Sequence, residues 1–272
     1  MVDGTTIAKA LLYVGAIVAV GELALPTTAV TATSRRMLHS AACVALCTAP
    51  VLWLFAQLRA LEMPFASANA LLGSGWGDSW VPFAIGCLLT ALALPVARAG
   101  VLPFARAILA ASVVALAIAM GGMGHPNADE IRPVLARGVD ALHVLGMGAW
   151  IGALLLAVTD GARGTVDDVR VRWQRMSRVA TIAAPVAVLT GVGGAWRLLD
   201  GISLGDIARS GYGQLLLAKS LVVAVMLGIG ASQRRRVGQG TAPVSRLVRF
   251  EVVCAAVVTL LTALLTGSEP PG

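Results

Sequence analysis

Residues 120–156 read MGGMGHPNADEIRPVLARGVDALHVLGMGAWIGALLL. They comprise the end of one apolar run, a short polar loop, and the start of another run. The second run begins near Val139 and shows no alternation of period two, so it reads as a helix. His143 then lies about 6 Å below its start, with Met147 and Trp150 following at i+4 and i+7 on the same face. Met120 and Met123 close the preceding run just before His125, so two helix ends carrying sulfur and imidazole face each other across one loop. Thioethers favour cuprous ion and imidazole accepts either oxidation state of copper, which makes copper the metal this donor set suits. The same residue types also fill apolar cores, and a buried imidazole can serve as a hydrogen-bonded packing residue. An ionisable residue within a membrane segment is nonetheless a functional candidate by default.

The rest of the chain has the same character. Hydrophobic residues make up 57% and charged residues 13%, against about 25% charged in soluble domains. Runs long enough to cross a ~30 Å hydrocarbon core, for which about 20 residues suffice, recur approximately over 7–30, 38–58, 80–97, 104–123, 139–158, 179–199, 214–231 and 250–267. Backbone polar groups in lipid must be satisfied internally, so these spans are expected to be helices of an all-α polytopic bundle. A strand barrel is excluded by the missing alternation. One integral membrane domain is expected to account for residues 1–272, and the first span is read as a retained helix, not a cleaved leader.

The formal charge of +7 would suit nucleic acid only if it were clustered for that purpose. Instead the arginines fall in alternate loops: Arg35 and Arg36, Arg98 and Arg106, Arg163 to Arg178, and Arg234 to Arg249. That alternation predicts a cytoplasmic side for the arginine-rich loops and places both termini and the His125 loop outside. The arginines are expected to meet lipid headgroups, and no nucleic-acid partner is expected.

A few polar residues interrupt the spans. Glu22 lies in the inner half of the first, where a carboxylate must be protonated, paired, or facing water. His39, Cys43 and Cys47 follow one another at steps of four in the second, a stripe that would suit an inner metal relay or, as buried thiols usually do, simple packing. Lys219 stands about six residues into the seventh span and Glu251 at the start of the eighth. Cys87 and Cys254 also fall inside spans, and no disulfide framework or C-x-x-C pattern appears. The Gly148 to Gly152 step, and Gly191, Gly193 and Gly194, predict close helix packing. Trp76 and Trp80 read as interfacial anchors, and Thr159 to Arg178 as a solvated connector or short surface helix. No nucleophile with a base, phosphate loop or catalytic carboxylate pair is present, so an enzyme is not expected.

Four blocks together resemble the bacterial copper resistance protein D family. They are Gly124-His125; Leu142-His143 with Trp150-Ile151-Gly152-Ala153-Leu154; Tyr212-Gly213 through Leu216 and Lys219 to Gln233-Arg234-Arg235; and Glu251 with Leu264-Leu265-Thr266 and Pro270-Pro271. The resemblance is strongest over residues 120–272. It implies a protein of the inner membrane that brings copper from the periplasm toward the cytoplasm, with His125 and His143 as external ligands and a periplasmic copper-binding protein as a possible donor. Met120, Met123 and Met147 join that ligand set by their chemistry. The alternatives are a b-type haem protein, in which histidines ligate haem within a bundle, and a metal-free structural or assembly subunit of a respiratory membrane complex.

Overall fold

The computed structural model describes residues 4–25, 33–100, 102–123, 133–160, 165–241 and 243–268. Among them are ten α-helices and one 3-10 turn, and no strand. Eight helices are long and apolar enough to cross a membrane: α1 (Gly4–Ala24), α2 (Thr33–Ala60), α4 (Gly75–Ala99), α5 (Ala105–Gly122), α6 (Pro133–Asp160), α7 (Val166–Leu198), α9 (Gly211–Gly238) and α10 (Ser245–Leu265). Two short helices, α3 (Ala68–Leu72) and α8 (Leu204–Arg209), lie in connections. The expected all-α membrane bundle is therefore what the chain forms.

Its centre is the pair α1 and α6. Within their most apolar windows 56% of residues are buried, against 6% in α9, which lies at the periphery. The central pair meets backbone to backbone. A Cβ on Gly21 would lie 2.6 Å from the Gly152 carbonyl carbon, and one on Gly148 would lie 2.8 Å from the Val20 side chain. Only small residues permit such an approach, and with no hydrophobic drive between helices in lipid, close van der Waals contact is what joins them. On one side α2, α4 and α5 complete the bundle through Leu46, Trp53, Phe83 and Leu116. On the other, α7 leans on α6 while α9 packs on α10, enclosing Trp150, Met226, Cys254 and Val258.

At the arginine-rich end the central helices are tied by charge. Arg35, 2% exposed, donates from Nη1 to Asp160 Oδ2 of α6 at 2.6 Å, and from Nη2 to Glu22 Oε2 of α1 at 2.7 Å and the Leu25 carbonyl at 2.9 Å. His39 closes the group, its Nε2 lying 3.0 Å from the same Glu22 oxygen and its Nδ1 2.6 Å from the Arg35 carbonyl. Arg172 of α7 approaches Asp160 at 3.7 Å. At the opposite end the Lys9 ammonium bonds the Thr266 carbonyl at 2.6 Å and sits 5.3 Å from the Trp53 ring centre.

Several boundaries differ from the sequence reading. α6 starts at Pro133, so His143 lies ten residues, about 15 Å, along it rather than 6 Å. The segment up to Arg178, expected as a solvated connector or short surface helix, is from Val166 helical and continuous with the span, forming the first turns of the 33-residue α7. The reason is a capping box: the Thr165 hydroxyl accepts from the Asp168 amide while the Asp168 carboxylate accepts from the Thr165 amide, satisfying two amide donors that the helix start would leave open. Trp76 and Trp80 are helical, stacked at 6.0 Å, and Trp80 donates to the Pro50 carbonyl at 3.2 Å. They thus join α4 to α2 rather than only marking an interface. Gly193 and Gly194 have nothing within 4 Å of an added Cβ, so the packing expected of them does not occur.

Replacing Arg35 with alanine would leave Glu22 and Asp160 buried without their cation. A loss of about 3–5 kcal/mol is expected for a buried pair broken on one side. It would be seen as a lower unfolding midpoint of the detergent-purified protein. An unchanged midpoint would show that the group does not hold the helices.

Candidate functional site

His143 is seated by α7. Its Nδ1 lies 2.8 Å from the Ala187 carbonyl oxygen and 3.4 Å from the Thr190 hydroxyl, which itself bonds the Val186 carbonyl at 2.6 Å. A carbonyl can only accept, so Nδ1 carries the hydrogen and donates, which assigns the lone pair of the neutral ring to Nε2. No hydrogen-bond partner for Nε2 is found among the described residues. Gly191 fixes the ring from the same helix, for an added Cβ would lie 2.9 Å from His143 Cε1. This is how metal-ligating histidines are usually held: one nitrogen on a carbonyl, the other presented to the metal.

The ring stands between two cavities. The smaller, about 160 Å³, is lined by His143 together with Met120 and Met123 of the α5 end. It is also lined by Asp140, Lys9, Arg197 and Lys219. The larger, about 670 Å³, is lined by His143, Met147 and Lys219 with the apolar faces of α7 and α9. Thus the sequence-predicted His143, Met120 and Met123 border one space, and Met147 borders the adjoining one. His125 lies outside the described residues, as do Asp129 and Glu130 of the same loop. With three basic side chains around the smaller cavity, retention of a cation there depends on donor softness more than on electrostatic attraction.

The stripe of His39, Cys43 and Cys47 has a different outcome. Steps of four keep the three residues within about 80° of one another on the helix, but their surroundings differ. His39 is buried with both nitrogens facing acceptors, Cys43 donates to the Ala91 carbonyl at 3.3 Å, and Cys47 is exposed. Among the described residues no three His, Cys, Asp or Glu side chains form a metal-binding group.

The intramembrane polar residues part ways similarly. Glu22 is paired with Arg35 and His39. Lys219 borders both cavities near His143. Glu251 is 2% exposed, and its Oε1 has no hydrogen-bond partner among the described residues. Residues the sequence reading did not single out are Asp160, which completes the charged group, and Ala187 and Thr190, which orient His143. Asp160 carried a readable signal, an acid closing an apolar run opposite arginines. A backbone carbonyl carries none.

The family model of copper resistance protein D matches residues 171–265. The expected resemblance is met over that segment, about a third of the chain. The matched segment spans nearly all of α7, all of α8, α9 and α10, and includes Lys219, Gln233 and Glu251. His143 and the three methionines lie before it. Comparison with curated proteins and with solved structures returns no match.

Gly191→Ala should push the His143 ring aside without unfolding the helix. If copper binds through His143, the expected loss of affinity is that of disturbing the support of a ligand, roughly ten- to a hundred-fold. Gly193→Ala, with open space around it, should leave affinity unchanged. Equal copper titrations for the two variants would show that the ring position does not matter.

Proposed function

We propose that this protein carries copper across the bacterial inner membrane, from the periplasm toward the cytoplasm. The arginine-rich end, with Arg35, Arg172 and Arg234 to Arg236, is its cytoplasmic side by the positive-inside rule. The cavity bordered by Met120, Met123 and His143 then opens the pathway on the periplasmic side. The observation that carries this reading is the seat of His143: a ring held by the Ala187 carbonyl through Nδ1, lining a cavity that Met120 and Met123 also line. Imidazole with thioethers is a donor set for copper rather than zinc. His125 is the second imidazole ligand of this proposal, and Met147 receives the ion one turn further along α6. A periplasmic copper-binding protein supplies the metal.

Weak sites in sequence, not one tight centre, are what transport needs, because an ion must leave as readily as it enters. Two or three soft ligands at a cavity edge satisfy that requirement.

A haem held by His143 alone is the second reading, favoured by the volume and apolar lining of the larger cavity. No second histidine borders that cavity among the described residues. Elemental analysis of the protein purified from copper-supplemented cells separates the two readings. Near-stoichiometric copper that disappears in His143→Ala supports transport, and iron with a haem absorption band supports the second reading.

In cells, His143→Ala should abolish copper accumulation, while Met123→Ala should only reduce it. Unchanged uptake by His143→Ala would reject the assignment.

A further inference from the structure

We infer that the protein has a second, inner cation site, in which the Glu251 carboxylate and the Met176 thioether hold cuprous ion before its release at the arginine-rich end. That the cation is copper rests on the function proposed above. The site itself rests on a different part of the molecule.

Glu251 is six residues into α10, about 9 Å from its start, and it is as buried as Glu22. The two carboxylates are treated oppositely. Glu22 receives Arg35 and His39, whereas Glu251 Oε1 is enclosed with no hydrogen-bond partner among the described residues. A bare carboxylate within a membrane span is costly, and such residues mark ion or proton pathways. Neighbouring groups do not relieve it. The Gln233 amide is taken up by Val244, donating to its carbonyl and accepting from its amide, each at 3.1 Å. Arg234 borders the same cavity but is exposed and forms no ion pair with Glu251 among the described residues.

The space beside Glu251 is a cavity of about 200 Å³ between α7, α9 and α10. That is room for an ion with several waters, each occupying about 30 Å³. Gly230 lines the cavity beside the carboxylate, where an added Cβ would lie 3.6 Å from Oε1, at ordinary contact distance. Met176, buried to 8% exposure, lines the same wall and supplies a soft donor. One turn beyond Glu251, Cys254 packs with Met226 in the cluster that also contains Met147. Soft side chains thus occur both near the His143 level and beside the inner cavity. A carboxylate with a single thioether binds cuprous ion weakly, as a release site requires.

The test is a titration of the full-length detergent-purified protein with cuprous ion buffered by a chromophoric chelator, with unfolding midpoints recorded for every variant. The wild type should bind two equivalents. Glu251→Gln, which keeps shape and loses charge, should lose one equivalent and keep the other; His143→Ala should show the reverse. Met176→Leu should weaken the inner equivalent by at least roughly tenfold. If Glu251→Gln and Met176→Leu both bind as the wild type does while His143→Ala loses copper, the inner site is refuted and the outer one stands. If the wild type binds no copper, both fall. Arg234→Ala should leave the inner equivalent in place. Its loss in that variant would assign Arg234 a role that the inner site does not include, and would overturn it as drawn.

Discussion

The constraint on which the bundle depends is the neutralisation of charge in a medium that does not solvate it. Arg35 meets two carboxylates from two other helices, and none of the three side chains could be buried there alone. The group fixes where α1 ends, where α2 begins and how far α6 extends. At the other end Lys9 performs a similar service for α1, α2 and the end of α10. Beside the charged group the contact of Gly21 with Gly152 leaves no room for a larger side chain. The central helix pair is therefore held at its arginine-rich end by charge and by shape together.

The spans were legible because hydropathy accumulates over many residues and the bilayer sets a minimum length. Their ends were less so. α7 begins in a stretch of aspartates and arginines whose composition reads as loop, and only the Thr165 to Asp168 capping box marks it as helix. The glycines show the same division. Gly148 and Gly152 pack as their spacing predicts, while Gly193 and Gly194 look over open space, because spacing does not say whether a neighbouring helix is present.

At the site, residue type was readable and environment was not. His143 stood out as an imidazole in an apolar run, but the carbonyl that sets its tautomer belongs to a helix some forty residues on. Glu22 and Glu251 look alike in sequence, and only the fold shows that one is matched with cations and the other is left open. His39 seemed to head a row of soft ligands. Its place beside Glu22 gives it instead to the charged group that joins the helices.

The shallow seating of α9 has a consequence of its own. The spaces at His143 and at Glu251 both lie along the seam between α7 and α9, and α9 presents much of its surface outward. Whatever surrounds α9 in the bilayer therefore borders this seam. Its width and dryness belong to the bilayer as well as to the polypeptide, so membrane thickness and fluidity become parameters of whatever passes along it.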